Sequence, residues 1–294
     1  MKHLKIFILI AIIAMGCTNN AGKKAVETYS YTDDYGSVVE VPKEPKRVVS
    51  LSPAVTEIMF AIGADSLLVG RTEFCSYPPE AASIENIGGI SNLNIEKVLS
   101  MNPDLIISGS MVPQKVVQQF EKMGVPMVCV IEKPAFDELF ANISKIGGLV
   151  GMSAKADSLN KKLKEEMANL ELSDGSADGP SCYYVVGFGS GGNFTAGGNT
   201  FINDIITMAG GHNIAAGSVG WTFSLEVLME EDPDYILIRA EDSARFCNTD
   251  PYKQLTAVKE KRMIALEDGI LDLQVPRNIE AIRRLHTIFG GQKR

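Results

Sequence analysis

The chain has 294 residues, a formal charge of −8 and a pI of about 5.1. Apolar residues make up 45% and charged residues 22%, enough for a sizeable core in two modest domains or one large one. An acidic chain with no basic block lacks the clustered Lys and Arg that hold phosphates, which excludes nucleic acid as an expected partner.

Residues 1–16 read as an export signal. Lys2 and Lys5 form a basic start, and Ile6 to Met15 is an apolar run of ten residues. A bilayer-spanning helix takes about 20, whereas the shorter run suits a signal-peptide core. It ends at Ala14-Met15-Gly16-Cys17, followed by the polar Thr18-Asn19-Asn20. This is similar to a bacterial lipoprotein signal, whose cleavage leaves a lipidated cysteine at the new N-terminus. Ala14 stands where such signals usually carry Leu, and the alternative is an ordinary secretory signal with Cys17 incidental. Several acyl chains on one cysteine anchor stably, at about 0.8 kcal/mol per buried CH₂. Residues 17–35, polar and carrying Gly, Lys, Ser, Thr and Asp, read as a flexible tether.

From Arg47 the pattern is α/β. The short apolar runs Val48 to Leu51, Leu105 to Ile107 and Val128 to Ile131 read as buried strands, with amphipathic helices between them. This predicts an N-terminal lobe over 36–135. Residues 136–178 are predicted to connect the lobes through helices. One runs from Asp137 to Val150, and a longer one, capped by Ser153, runs from Ala154 to about Leu170. A helical connection limits hinge motion, so ligand should close the lobes only slightly. A C-terminal lobe over 179–294 repeats the grammar of the first. Glu96 opens a helical stretch followed by Pro103-Asp104 and a strand, and Glu226 opens one followed by Pro233-Asp234 and a strand. Val55 to Gly63 parallels Asn199 to Gly210, each a polar-capped helix ended by Gly. Met123 to Val128 parallels Lys259 to Ile264. Three blocks in the same order argue for two related α/β lobes.

Cys75, Cys129, Cys182 and Cys247 follow the signal, and four cysteines allow three disulfide pairings. Cys129 lies in an apolar run and reads as a buried thiol. Their spacing suggests no structural metal site.

In these pieces the chain resembles the solute-binding proteins of ABC importers for vitamin B12, haem and ferric siderophores. Leu51 to Glu57, Tyr77-Pro78-Pro79-Glu80-Ala81, Asn94-Ile95-Glu96, Gly197 to Thr200, Ala209 to Ile214 and Val219-Gly220-Trp221 stand in the family order. The resemblance implies two α/β lobes joined by a long backbone helix, with the ligand in the cleft between them and no intrinsic cofactor. It implies a monomer on the periplasmic side of the cell envelope, held to a membrane by Cys17. It also implies a role for Glu96 and Glu226, one per lobe, in docking onto a permease dimer powered by ATPase subunits. Two matched carboxylates suit a two-fold partner, although a Glu also simply favours a helix N-terminus.

Ligands of α/β folds sit at the carboxyl ends of strands. Tyr77, Phe188, Phe194, Trp221 and Phe223 are the aromatic candidates, and for a Phe core packing is the competing role. Tyr77 and Trp221 lean towards the B12-binding branch. Ile90 and Gly109 stand where B12-binding relatives place two further tryptophans, which thins the aromatic cage. Arg71, Arg239 and Arg245 follow apparent strands and suit an anionic ferric siderophore, while Arg277 reads as a helix start. Haem needs an axial ligand, and Tyr77 is better placed for it than His212 or His286. A corrinoid is the expected cargo, with haem or a ferric siderophore as alternatives.

An enzyme reading rests on Gly187-Phe188-Gly189-Ser190-Gly191-Gly192, which fits G-x-G-x-x-G after a strand-like run. A dinucleotide site needs a helix opening within the motif. Here the next helix is expected only near Asn199, so the segment reads as a loop. No GxSxG elbow, HExxH or P-loop is present. A structural lipoprotein or adhesin is disfavoured by a repeat that builds a cleft.

Overall fold

A computed structural model describes residues 26–110, 112–170 and 179–290. The signal segment 1–16 and Cys17 lie outside the described residues. The first element is a hairpin of β1 (Thr28–Thr32) and β2 (Val38–Pro42), paired antiparallel. Asp33 fixes its turn by accepting from the Tyr35 and Ser37 amides, and Gly36 supplies the left-handed backbone. The segment expected as tether, 17–35, therefore contains a strand. Tyr29 and Tyr31 alternate onto the core while the residues between them face water. Asp34 ties the hairpin to the lobe through Lys145 at 2.7 Å and the Ile131 amide at 2.9 Å.

The N-terminal lobe continues with β3 (Val48–Ser50), α1 (Pro53–Ala61), β4 (Leu68–Arg71), α2 (Ile95–Ser100), β5 (Leu105–Ser108), α3 (Gln114–Lys122) and β6 (Met127–Cys129). Two crossover helices follow, α4 (Glu138–Leu149) and α5 (Ser153–Ala168). The C-terminal lobe holds β7 (Ser181–Val185), α6 (Phe201–Met208), β8 (His212–Asn213), α7 (Leu225–Glu231), β9 (Tyr235–Arg239), α8 (Ala240–Cys247), α9 (Thr256–Lys259), β10 (Met263–Leu266) and α10 (Asn278–Gly290).

The two sheets have one topology. The first runs β4-β3-β5-β6 and the second β8-β7-β9-β10, all parallel. The repeated Pro-Asp does the same work in each lobe. Asp104 accepts from the Lys46 and Arg47 amides at 2.7 and 2.9 Å, fixing the entry to β3. Asp234 accepts from the Ser181 amide at 2.9 Å, fixing the entry to β7. Asn102 and Asp232, just before each Pro, both take a left-handed backbone, which Asn and Asp tolerate better than most residues. Asn94 and Ser224 cap α2 and α7 by accepting from the Lys97 and Val227 amides.

The crossover is two packed helices rather than one long rod. They meet at Gly151, whose φ is 71°. Met152, not Ser153, occupies the N-cap of α5. A Cβ on Gly147 would lie 2.4 Å from the Ala156 Cβ, so this glycine permits the close approach of α4 and α5. One buried cluster runs from Val48 and Ile107 through Ile143 and Leu149 to Tyr184, Leu237 and Ile282. A core shared by both lobes and the crossover opposes wide opening. Among the described residues, no helix is long and apolar enough to cross a membrane. The four described cysteines are free thiols, and burial pushes those of Cys129 and Cys182 up.

Candidate ligand cleft

Strand ends of the N-terminal lobe and loops of the C-terminal lobe converge on a cavity of about 390 Å³. Its apolar wall is Leu51, Ile90, Phe201, Trp221 and Leu273, and Gly109, Ser110 and Glu132 come from just beyond β5 and β6. Trp221 keeps 48% of its surface exposed in this apolar slot. Its loop is pinned: the Trp221 carbonyl accepts from the Thr195 amide at 2.8 Å, and Asn199 Oδ1 accepts from the Gly220 amide at 3.1 Å. A second cavity of about 320 Å³ shares Pro53, Asp272 and Leu273 with the first and forms a polar annex. Glu73, Tyr77, Asp268 and Arg277 line it.

Three cations line the cleft and annex, each in contact with a carboxylate, while Arg239 Nε and Arg277 Nη1 are buried without a hydrogen-bond partner. Lys133 meets Glu138 at 3.4 Å, and Arg239 meets Asp242 at 3.3 Å. Arg277 holds Glu57 through two bonds of 2.8 and 2.9 Å. By contrast Glu73, Glu132, Asp268 and Asp272 form no ion pair among the described residues. Burial raises the Asp272 carboxyl against the hydrogen bond it accepts from the Tyr184 hydroxyl at 2.7 Å.

Burial pushes Glu132 up to about 7 from 4.5, although its carboxylate accepts from the Gln274 amide. The folded protein therefore holds a proton through that window that the unfolded chain has released. Glu132 costs stability above pH 7 and nothing below pH 4.5. Glu132→Gln is expected to raise the melting temperature of the ligand-free protein above pH 7, with the gain vanishing below pH 4.5. A gain independent of pH would contradict this origin.

The sequence candidates separate. Tyr77, Trp221 and Arg239 line the cleft or its annex, as do Ile90 and Gly109. A Cβ on Gly109 would lie 3.1 Å from Ser52 Oγ, so a large side chain there would have to displace Ser52. Phe188 does not line the cleft. It packs on Phe246 and Tyr252 at 5.0 and 5.6 Å between ring centres, with the Arg245 guanidinium 4.2 Å from its ring. The aromatic cluster of the C-terminal lobe claims Phe188, and its outer face claims Arg245. Phe223 is buried against Tyr183. Phe194 bridges Gly187 and Thr222 beside the Trp221 loop, outside the cavity lining. Arg71 spends its guanidinium on the Ala81 and Thr72 carbonyls. His212 is exposed on β8 and His286 lies in α10; neither lines the cleft.

Arg277 is more than a helix start. It crosses from the C-terminal lobe to Glu57 on α1 and lays its guanidinium 3.6 Å from the Tyr77 ring centre. Sequence reasoning missed Glu132 and Asp272. The position of Glu132, just past the apolar run that forms β6, was the available signal. The G-x-G-x-x-G segment is a loop closed by the Gly187–Phe194 bridge, and no helix starts before Phe201.

Glu96 and Glu226 are exposed in the first turns of α2 and α7. The Ser224 hydroxyl donates to Glu226 at 2.6 Å and holds its carboxyl below the usual range.

The family model described as periplasmic binding protein matches residues 48–269. The chain belongs to this family. As a periplasmic binding protein it is not an enzyme, and its cleft is a place to hold a ligand. An uncharacterized ABC transporter substrate-binding lipoprotein, YvrC, of Bacillus subtilis is 29% identical over 95% of this chain and 93% of its own length. A cobalamin-binding protein of Halobacterium salinarum is 28% identical over 87% of this chain and 73% of its own. The apo structure of the periplasmic haem-binding protein RhuT from Roseiflexus sp. RS-1 superposes with a TM-score of 0.72. It is 27% identical and covers 83% of this chain and 97% of its own.

Proposed function

We propose that the protein is the substrate-binding component of an ABC importer and that its cargo is a corrinoid. The observation that carries this reading is the apolar slot at Trp221, bordered by acidic side chains that form no ion pair among the described residues. A corrinoid offers a broad apolar ring edge and a rim of amide N–H donors, which suits acceptors of this kind. Haem brings propionates and many ferric siderophores are anionic. Either would bring further negative charge beside the acidic side chains Glu73, Asp268 and Asp272. The cobalamin-binding relative points the same way.

The loaded protein, a monomer anchored through Cys17 on the periplasmic side, docks by Glu96 and Glu226 onto a permease dimer whose ATPase subunits supply the energy. Matched positions on two lobes of one topology support this docking. The cargo is tested by thermal shift with cyanocobalamin, cobinamide, haemin and ferric siderophores, since a ligand bound only by the folded state raises the melting temperature. A shift with haemin or a siderophore and none with a corrinoid would sink the cargo assignment. For docking, the double variant Glu96→Ala/Glu226→Ala is expected to bind corrinoid normally and to lose cellular uptake by about 10-fold or more. Normal uptake by that variant would remove both residues from the interface.

A further inference from the structure

We infer that Glu132 is a specificity-determining contact that meets the cargo as a neutral carboxylic acid, so that capture takes up a proton. The inference rests on the corrinoid reading and adds to it a ligand-contacting residue and a pH dependence. Glu132 lies just beyond β6, at the carboxyl edge of the first sheet, and lines the cavity with Leu51, Ile90 and Trp221. It is half-buried and forms no ion pair among the described residues. Its segment is held from the C-terminal lobe. Gln274 Nε2 donates to the Lys133 and Ala135 carbonyls at 2.6 and 2.9 Å, and the Gln274 backbone N–H donates to the Glu132 carboxyl.

The charges around Glu132 are engaged elsewhere. On its own segment, Lys133 meets Glu138 of α4. From the hairpin, Asp34 pairs with Lys145 and accepts from the Ile131 amide. From α6, Asp204 accepts from the Phe136 amide at 3.0 Å. Asp272, across the same cavity, accepts from the Tyr184 hydroxyl. Arg239 and Arg277 line the annex and not this cavity. Burial dominates at Glu132, and the Gln274 N–H opposes it.

A cargo seated against Trp221 strips the remaining water from this carboxyl. With no cation to replace that water, the ionised form is penalised and the protonated form favoured. The neutral acid is a donor and an acceptor at once. A primary amide on a corrinoid arm matches both, since its carbonyl accepts the acid O–H and its N–H donates to the acid carbonyl. The free carboxyl is half protonated at about pH 7, and in the complex it stays protonated to higher pH. Affinity is therefore full below about pH 7 and falls above it.

The probe is cyanocobalamin, which has no group titrating in this range. It is titrated calorimetrically into the full-length protein at about pH 6, 7 and 8.5, using at the middle pH two buffers that differ in ionisation heat. The native protein is expected to lose about 10-fold in affinity from the lowest to the highest pH, and to take up about half a proton per ligand at the middle one. Glu132→Gln keeps a donor and an acceptor but cannot titrate. It should bind equally at all three values and take up no proton. Glu44→Gln removes a carboxylate outside the cleft lining and should keep both native responses. A native affinity that does not change with pH, or a pH dependence that survives in Glu132→Gln, would overturn the inference with the corrinoid reading intact. Binding of cyanocobalamin at none of the three values removes the corrinoid reading and the inference with it. Melting curves establish that the variants are folded.

Discussion

Replacing Arg277 with alanine is expected to destabilise the protein by about 3–5 kcal/mol, the usual cost of stranding one partner of a buried ion pair. Only 8% of the Arg277 side chain and 4% of the Glu57 side chain are exposed, and the two bonds between them are short. Burial already raises the Glu57 carboxyl against the pull of Arg277. Without the guanidinium, Glu57 must either ionise unpaired or hold a proton. The loss should therefore be largest at neutral and alkaline pH and shrink in acid, where the carboxyl is neutral in both folded and unfolded states. In melting experiments this is a fall of about 10 °C at neutral pH. The double replacement Glu57→Leu/Arg277→Met, which fills the space without charge, should recover much of it. A single variant within 1 °C of the native protein, by about the resolution of a melt, would show that the pair contributes little.

Trp221→Ala should leave the melting temperature of the ligand-free protein nearly unchanged, because the indole is half exposed and its loop is held by backbone bonds. Corrinoid affinity should fall by about 30-fold to 100-fold, corresponding to about 2–3 kcal/mol for an aromatic anchor in an interface. Trp221→Phe should restore part of the affinity by returning a flat apolar face. An alanine variant with native affinity would mean that the ligand does not lie against this wall.

Much of the architecture was legible because its signals are local. Asn94 and Ser224 cap their helices three residues ahead, and the Pro-Asp pairs mark the entry to the next strand. Two copies in the same order made the equal topologies of the sheets readable. The hairpin strand Thr28–Thr32 was hidden in a polar composition, although Tyr29 and Tyr31 alternate in a way that fits a strand beside the Asp33–Gly36 turn. Gly151 separates the two crossover helices, and the N-cap of the second sits at Met152, one residue before the Ser153 expected to cap it.

The cleft was less legible, since its making is non-local. Glu57 and Arg277 stand 220 positions apart, and nothing near either one predicts the pairing. The arginines that suggested an anionic ligand are ordinary in sequence. Only the fold reveals that Arg71 is spent on carbonyls and Arg239 on Asp242. Phe188 shows the converse. A loop position made it a candidate, and the hydrophobic effect drew it onto Phe246 and Tyr252 instead.

The central claim, a corrinoid held at Trp221 among unpaired carboxylates, is tested most directly by calorimetric titration of a soluble form beginning at Thr18. Cobinamide and haemin are titrated side by side. The account predicts one-to-one binding of cobinamide, weakened in Trp221→Ala, and far weaker binding of haemin. Tight haemin binding with no cobinamide response would contradict it and move the cargo to iron.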